Sequence, residues 1–156
     1  MGRYRRISHS SQDTVLLGAL LGEVLSPGVV LLLFGDYGAG KTEFVRGVVS
    51  GYLGDAVAEE VASPSFSMLH VYGNQSRRFF HYDLYRIDKE NQGYIFQDTE
   101  ENDVLCIEWA DRIPVPQFRE VINIYITVLP SFEREITIKG PQLLFSAISS
   151  YANILE

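Results

Sequence analysis

The sequence predicts an α/β fold of three layers, with helices against a mostly parallel central sheet that carries antiparallel additions. One observation is the continuous apolar run at 29–34, which turn residues bound on both sides. A second stretch, V-L-C-I-E-W at 104–109, is apolar except for Glu108 and predicts a second buried strand. Runs of this kind are typical of parallel strands that are buried on both faces. Helical patterns alternate with these strands in a chain of 156 residues, which predicts one domain over 1–156.

Two helices are predicted around the first apolar run. Ser10 and Asp13 form a capping-box pattern before a helical run that the turn residues at 26–28 bring to an end. After the strand and its glycine-rich loop, a second apolar helical pattern begins at Lys41 and is closed by Gly54.

The second half of the chain is predicted to be richer in strands. The predicted elements are a loop at 63–66, strands at 67–72 and 78–84 joined by a turn at 73–76, loops or short helices at 86–103, a strand at 104–109, a connection at 112–119, a strand pair at 121–128 and 133–139 joined by a turn at 129–132, and a last helix from Pro141 through Tyr151.

Composition limits the kind of partner and the compartment. The chain carries 13 basic and 20 acidic residues, for a net charge of −7, so it is a poor candidate for gripping nucleic acid through phosphate contacts on its own. Its single cysteine, Cys106, excludes an internal disulfide framework and a cysteine-rich zinc site. The arginines near the N-terminus are not followed by the apolar stretch of a secretory signal. We expect a soluble, cytoplasmic protein.

The negative charge is concentrated in one segment, 83–111. It holds nine acids against two bases, Arg86 and Lys89, a balance that equals the net charge of the whole chain. The acids are Asp83, Asp88, Glu90, Asp98, Glu100, Glu101, Asp103, Glu108 and Asp111. Such a segment is either a solvated surface or an acidic docking surface for a basic partner, with some of its acids serving a metal. Composition leaves both interpretations open.

The strongest single signal is the sequence G-D-Y-G-A-G-K-T at 35–42, which matches the phosphate-binding pattern G-x-x-x-x-G-K-[ST]. Its glycines let successive backbone N–H groups turn toward an anion, and the following helix points its positive end at the same place. Lys41 would place a charge on the β- and γ-phosphates, and Thr42 would offer a hydroxyl to Mg²⁺. Because a buried strand precedes the motif and an amphipathic helix follows it, we expect nucleotide binding and a P-loop NTPase-like fold.

Two acids that end apolar strands are candidates for the metal and the reacting water. Asp83 ends F-F-H-Y-D and Glu108 ends V-L-C-I-E, and ligands of α/β sheets lie beyond the carboxyl ends of the strands. Each could instead be a surface acid at a strand end. Ser65, in the S-P-S-F loop, could act like a switch-loop threonine that senses the γ-phosphate. GTP is set aside as the ligand, because the chain has neither an N-K-x-D element nor a D-x-x-G after the second strand.

In this combination and order, the motifs resemble the TsaE (YjeE) family, bacterial ATPases of tRNA threonylcarbamoyladenosine formation. The matching stretches are T-V-L-L-G at 14–18, G-D-Y-G-A-G-K-T at 35–42, S-P-S-F at 63–66, H-Y-D-L-Y-R at 81–86, I-E-W at 107–109 and E-R-E at 133–135. The resemblance covers nearly the whole chain. The chain departs from the family pattern at Ser65, which is usually Thr, at Tyr37, usually Leu, and at Ala110, usually Pro.

The resemblance implies a site for ATP and Mg²⁺. The phosphate contacts it implies come from Gly35, Asp36, Tyr37, Gly38, Ala39, Gly40, Lys41 and Thr42. Mg²⁺ would be held by Thr42 and Glu108, with Asp83 close to the metal and the reacting water. Adenine contacts would come from Ser11 and Arg134.

The same resemblance implies a function and partners. It implies a slow Mg-dependent ATPase, stimulated by partner proteins, that supports formation of the threonylcarbamoyl group on adenosine 37 of tRNAs reading codons that begin with A. The implied partners are a carbamoyltransferase and its non-catalytic paralogue, the TsaD and TsaB types. The tRNA would be reached only through them.

Two other functions stay open at this point. A small-molecule kinase would use the same loop, with Arg112 or Arg119 as lid residues on the transferred phosphoryl group. Against it, the chain has no arginine-rich lid and little spare length for an acceptor pocket. The other alternative is a nucleotide-dependent interaction module with negligible catalysis.

Some residues have structural alternatives to a functional role. His81, inside a strand, is either a core histidine or a catalytic base, and Cys106 is interpreted as a small core hydrophobe. Trp109 either packs under the site or faces a partner. Arg134 either stacks on adenine or is an exposed strand arginine that pairs with a neighbouring glutamate.

Overall fold

A computed structural model describes residues 1–88, 90, 92, 95–112, 114 and 119–155, the last six as backbone. Residues 113 and 115–118 of the predicted connection, and Lys89 of the acidic segment, lie outside the described residues. The elements in chain order are β1 (Gly2–Ser8), α1 (Ser11–Val24), β2 (Val30–Phe34), α2 (Lys41–Leu53), α3 (Asp55–Ala58), β3 (Leu69–Gly73), β4 (Arg78–Asp83), β5 (Val104–Glu108), a 3-10 turn (Ala110–Arg112), β6 (Val121–Val128), β7 (Arg134–Gly140) and α4 (Gln142–Leu155).

Among the described residues, the strands form a seven-stranded sheet in the order β1-β7-β6-β2-β5-β4-β3. The four central strands, β6, β2, β5 and β4, are parallel to one another. At one edge β7 and β1 are antiparallel additions, and at the other edge β3 is one. The predicted fold class is therefore confirmed. This topology brings the carboxyl ends of β2, β4 and β5 together at one end of the sheet.

The helix boundaries follow the predicted caps. α1 begins after Ser10, whose side chain accepts a hydrogen bond from the Asp13 N–H. The Asp13 carboxylate accepts from the His9 N–H rather than from that of Ser10, so the reciprocal half of the capping box is displaced by one residue. Gly54 closes α2 with a φ of +108°, a conformation that favours glycine.

Among the described elements, the sequence analysis missed the N-terminal strand β1, the short helix α3 and the 3-10 turn. β1 pairs with β7 along its whole length, from Gly2 opposite Gly140 to Ser8 opposite Arg134. Three exposed arginines in this strand hide its pattern, because an edge strand carries charge and needs little apolar surface. The pairing places the start of α1 beside the start of β7.

Helices α1 and α2 approach each other closely through glycines. A Cβ atom at Gly18 would lie 2.3 Å from the Phe44 carbonyl oxygen, and one at Gly47 would lie 2.0 Å from the Val15 carbonyl oxygen. The other glycines of this contact are Gly22 and Gly51. Side chains at these positions would push the two helices apart, and with them the loop that precedes α2.

The sheet buries apolar side chains on both faces. On one face, side chains of α1, α2 and α4 pack against the sheet. On the other face, the central strands are covered by residues outside the helices and strands, among them Ile87, Ile95 and Ala110 of the 3-10 turn. The described residues thus form three layers, of helices, sheet and turns. Within this described part of the chain, no helix is both long and apolar enough to cross a bilayer.

Candidate functional site

The loop at 35–42 connects the end of β2 to the start of α2. Gly38 and Gly40 adopt φ of +79° and +105°, a region that residues with a side chain rarely occupy. No described side chain caps α2 at Gly40. The first N–H groups of this helix are therefore available to an anion, and the helix dipole favours one.

Lys41 is held at the centre of this loop. Only 9% of the residue is exposed, and its Nζ atom donates a hydrogen bond of 2.7 Å to the Gly35 carbonyl oxygen. The same Nζ atom lies 3.9 Å from Oε1 of Glu108 and 4.5 Å from the centre of the Trp109 ring. The protein rather than solvent therefore sets the position of this ammonium group, as a phosphate ligand requires.

Asp83 and Glu108 end the adjacent parallel strands β4 and β5 and lie opposite each other in register. They are 6% and 3% exposed, which excludes the interpretation as surface acids. The Asp83 carboxylate accepts hydrogen bonds from the Ser65 hydroxyl, at 3.3 Å, and from the Tyr85 N–H, at 3.0 Å. The Ser65 hydroxyl also lies 2.8 Å from that of Ser63. These contacts attach the loop at 63–66 to the end of β4.

A buried histidine contacts Glu108 from inside the core. His81, on β4, is fully buried, and its Nε2 atom lies 2.7 Å from Oε2 of Glu108. The other carboxylate oxygen, Oε1, is the one nearest to Lys41. His81 is thus a core histidine, too deeply buried to act as a base on solvent. Its polar contact is with Glu108, a residue of the site.

Lys41, Ser65 and the carboxylates of Asp83 and Glu108 meet in one cavity of about 350 Å³. Its lining residues are Tyr37, Gly38, Gly40, Lys41, Thr42, Glu43, Ser63, Ser65, Asp83, Glu108 and Trp109. The cavity therefore brings together the predicted lysine, hydroxyl and carboxylate groups.

The donor set of this cavity fits Mg²⁺ beside a phosphate chain. Thr42, Asp83 and Glu108 offer hard oxygen ligands. The described residues contain no cluster of three acidic, histidine or cysteine side chains that would enclose a metal by itself. Mg²⁺ usually takes one or two carboxylates from a protein and completes its coordination with waters and substrate phosphates.

A smaller cavity of about 190 Å³ shares Gly40 and Glu43 with the larger one. Its lining residues are Ser8, His9, Ser10, Ser11, Thr14, Gly40, Glu43, Phe132 and Arg134. Ser11 and Arg134 come from opposite ends of the chain and are brought together by the pairing of β1 with β7. Phe132, which the sequence analysis did not single out, is 83% exposed at a φ of +67° in the turn between β6 and β7.

Arg134 supports the phosphate loop directly. Its guanidinium donates hydrogen bonds to the carbonyl oxygens of Ala39, at 2.9 Å, and Gly38, at 3.5 Å, and to that of Phe132. Because an arginine fork can satisfy several acceptors at once, this contact fixes the loop from the side of β7.

The glutamates on either side of Arg134 have other partners. Hydrogen bonds from Ser131 and His9 lower the pKa of Glu133, and the hydrogen bond from Arg5 lowers the pKa of Glu135. The interpretation of Arg134 as the ion-pair partner of either acid is therefore wrong. The two contacts also connect the N-terminal segment to β7, beside the smaller cavity.

Trp109 follows Glu108 with a φ of +60°, which is rare for a bulky residue. This turn takes the chain away from the end of β5. It also places the indole over Lys41 and packs it at 4.9 Å, between ring centres, against Tyr85. Of the two interpretations of Trp109, packing against the site is the one that the geometry supports.

Three residues of the predicted phosphate-loop set do not line either cavity: Gly35, Asp36 and Ala39. They shape the loop instead, through the Ala39 N–H, which donates to the Asp36 carbonyl oxygen, and through the Gly35 carbonyl, which holds Lys41. Cys106 is confirmed as a core residue, since its side chain is buried within the apolar core beneath the helices. This burial raises the pKa of its thiol well above the usual range.

Arg119 lies far from the phosphate loop. Its guanidinium donates to the carbonyl oxygens of Gly28, Glu100 and Asp103, which come just before β2 and β5 begin. These contacts occur at the opposite end of the strands from the cavity. The kinase interpretation therefore loses one of its two candidate lid residues.

The family model described as Threonylcarbamoyl adenosine biosynthesis protein TsaE matches residues 8–136. The chain belongs to the TsaE family. Every site residue predicted from the sequence, from Ser11 to Arg134, lies inside the matched range. The resemblance seen in the motifs is therefore confirmed.

Other TsaE proteins resemble this chain over most of its length. The tRNA threonylcarbamoyladenosine biosynthesis protein TsaE of Treponema pallidum is 34% identical over 137 residues, which is 86% of this chain and 98% of the relative. The protein of the same name from Bacillus subtilis is 31% identical over 148 residues, 92% of each chain. A crystal structure of Bacillus subtilis YdiB matches the fold with a TM-score of 0.74 and 26% identity, covering 97% of both chains.

Proposed function

We propose that this TsaE-family chain binds ATP with Mg²⁺ and hydrolyses it slowly in support of tRNA threonylcarbamoyladenosine formation. One observation carries the proposal: the phosphate loop, the buried Lys41, and the carboxylates of Asp83 and Glu108 converge on a single cavity. Phosphoryl transfer is catalysed mainly by positioning and by stabilisation of charge, and these groups supply both.

Each group has a separate task in the proposed reaction. The loop N–H groups and Lys41 bind the β- and γ-phosphate oxygens and stabilise the charge that develops as the bond from the γ-phosphorus to the bridging oxygen breaks. Asp83 orients the attacking water, whose oxygen forms the new bond to the γ-phosphorus. ADP and inorganic phosphate result, and the proton that the water loses passes to a phosphate oxygen or to solvent. Thr42 and Glu108 hold Mg²⁺, which supplies charge neutralisation for the phosphates.

Ser65 is the residue that we infer to sense the γ-phosphate. Its hydroxyl faces the cavity and already donates to Asp83, so a phosphate oxygen or a metal near Asp83 competes for the same contact. Serine keeps the hydroxyl of the usual threonine but lacks the methyl group that restrains χ1. The exposed ring of Phe66, next in the chain, would transmit a rearrangement of this loop to the surface.

We infer that the chain reaches tRNA only through other proteins, in the cytoplasm. A net charge of −7 disfavours contact with the phosphate backbone of tRNA. The relatives are named for tRNA threonylcarbamoyladenosine biosynthesis, a modification that we assign here to adenosine 37 of tRNAs reading codons that begin with A. The partners we propose are the carbamoyltransferase and its non-catalytic paralogue, the TsaD and TsaB types.

The acids of the 83–111 segment divide into two groups, which narrows the surface that a basic partner could contact. Asp83, Asp103 and Glu108 are buried, and Asp103 accepts hydrogen bonds of 2.9 and 2.6 Å from Arg78. The exposed acids are Asp88, Glu90, Asp98, Glu100, Glu101 and Asp111. We propose this exposed group, with the loop at 63–66, as the surface that the partners contact.

Adding the transferase pair is expected to raise ATP turnover by at least roughly tenfold, because a partner can complete or order an NTPase site. Phosphate release is measured for the chain alone, for the pair alone and for the mixture. The isolated chain should not bind tRNA appreciably at physiological salt. Full ATPase activity that ignores the partners would contradict the proposal, as would tight tRNA binding by the isolated chain.

Two substitutions separate support of the loop from contact with the base. Arg134→Ala is expected to weaken binding of ATP and of tripolyphosphate alike, by roughly tenfold, because Arg134 fixes the loop through the carbonyls of Gly38 and Ala39. Phe132→Ala is expected to weaken ATP and leave tripolyphosphate unchanged, since its ring adjoins the smaller cavity. Calorimetric titration measures both.

The same comparison tests the adenine contact that the family resemblance implies for Arg134. If Arg134→Ala weakens the binding of ATP but not that of tripolyphosphate, the guanidinium covers the base rather than supporting the loop. Unchanged affinity for both ligands would exclude both roles.

A further inference from the structure

We propose that His81 is a positioning residue that fixes the carboxylate of Glu108 for the metal, an inference that rests on the proposed function. His81 holds one oxygen of that carboxylate, Oε2, inside the core at 2.7 Å. The second oxygen, Oε1, is left on the side of Lys41, whose Nζ atom is 3.9 Å away. Glu108 therefore presents one defined oxygen to the cavity.

The surroundings of His81 determine which ring nitrogen carries the proton. Among the described residues, the Nδ1 atom has no hydrogen-bond partner and is buried. A proton on Nδ1 would bury a donor without an acceptor, which is more costly than leaving a lone pair unpaired. On this ground we assign a proton to Nε2, which donates to the Glu108 carboxylate.

The ring has little freedom to leave this position. His81 is fully buried on β4, between β3 and β5 in the sheet, and its ring centre lies 6.3 Å from that of Tyr72. The sheet register places Asp83 opposite Glu108, and His81 precedes Asp83 by two residues on the same strand. Strand β4 thus carries both Asp83, one acid of the site, and His81, which supports Glu108, the other acid.

Removing such a support typically costs 10- to 100-fold in metal affinity. His81→Asn retains a buried amide that is too short to reach Glu108, whereas His81→Gln places an amide N–H near the position of Nε2. We expect His81→Asn to raise by about tenfold or more the Mg²⁺ concentration that gives half of the metal's effect on ADP affinity. In His81→Gln this concentration should return most of the way to the wild-type value. Phe79→Leu, on the same strand and the same face of the sheet, is the control for packing.

The experiment measures ADP affinity as a function of Mg²⁺ through the fluorescence of Trp109, the single tryptophan, which adjoins the cavity. ADP affinity without metal should be alike in the wild type and all three variants. Nitrogen-detected NMR of the nucleotide-free protein should show the Nε2–H tautomer of His81. Direct Mn²⁺ binding to the ADP complex is followed by electron paramagnetic resonance. The Mn²⁺ affinity should be lowest in His81→Asn and close to the wild-type value in His81→Gln and Phe79→Leu.

Failure of this inference differs from failure of the proposed function. A wild-type chain whose ADP affinity ignores Mg²⁺ would overturn the metal site itself. A metal-dependent wild type with an unchanged His81→Asn variant, or with His81→Gln as impaired as His81→Asn, would overturn the role of His81 alone. An Nδ1–H tautomer would also overturn it, independently of folding in any variant.

Discussion

Replacing Lys41 with alanine is expected to lower ATP turnover to below about 1% of the wild-type value and to abolish measurable ATP binding. The side chain supplies the one ammonium group that lies inside the cavity among the described residues, and it is already held there by Gly35 and Glu108. Loss of this charge leaves the γ-phosphate without its main counter-charge from the protein. Titration calorimetry and phosphate release measure the two effects.

The fold of this variant should persist, because the core beneath α2 is built from apolar residues such as Phe44 and Val48. Thermal unfolding followed by circular dichroism checks this point. Lys139→Ala is the matched control, since Lys139 lies on β7 over the ring of Tyr125 and away from the cavity. A folded Lys41→Ala variant that binds and hydrolyses ATP normally would contradict the phosphate-loop assignment.

Asp83→Asn and Glu108→Gln are expected to lower Mg²⁺-dependent turnover by about 100-fold each, while metal-free ADP binding changes by roughly twofold or less. Both changes keep the size of the side chain and remove a negative oxygen beside the metal or the water. Thr42→Ala should act in the same direction through loss of its hydroxyl. Turnover measured across a Mg²⁺ titration, with ADP affinity in a chelator, separates the metal effect from nucleotide binding.

Two exposed acids of the same segment serve as controls for charge. Asp111→Asn and Glu101→Gln remove equal charge from the surface and should leave the intrinsic turnover unchanged. If Asp83→Asn hydrolyses ATP like the wild type, its assignment to the reacting water is wrong. If the control variants are as impaired as the site variants, long-range charge rather than local geometry explains the loss.

The parts of the site that depend on local sequence could be predicted. A phosphate loop is a short contiguous motif, and an acid at the end of a buried strand has a position fixed by the fold class. Lys41, Thr42, Asp83 and Glu108 therefore line one cavity as expected.

Contacts that depend on strand register could not be predicted in the same way. His81 and Glu108 are 27 residues apart and meet because β4 pairs with β5 in one particular register. The sequence marked the histidine as ambiguous, since either a core or a catalytic role fits its strand. The partner that decides its role is visible only in three dimensions.

The smaller cavity could not be predicted from the sequence either, because it depends on the pairing of two whole strands, β1 and β7. β1 carries three arginines and lacks a strong strand pattern, so its pairing with β7 was missed. That pairing is what brings Ser11 to Arg134, and only the family resemblance connected the two residues beforehand. Phe132 was missed because its exposure and its φ of +67° come from the turn between β6 and β7.

Formation of threonylcarbamoyladenosine over many cycles tests the central claim most directly. The complete modification reaction is run with the transferase pair, ATP and either the wild-type chain or Lys41→Ala, and the modified tRNA is counted per transferase. We expect the wild-type chain to sustain repeated cycles, and Lys41→Ala to stop near one product per transferase. Continued product formation at the wild-type rate with Lys41→Ala, or with the chain left out, would contradict the account.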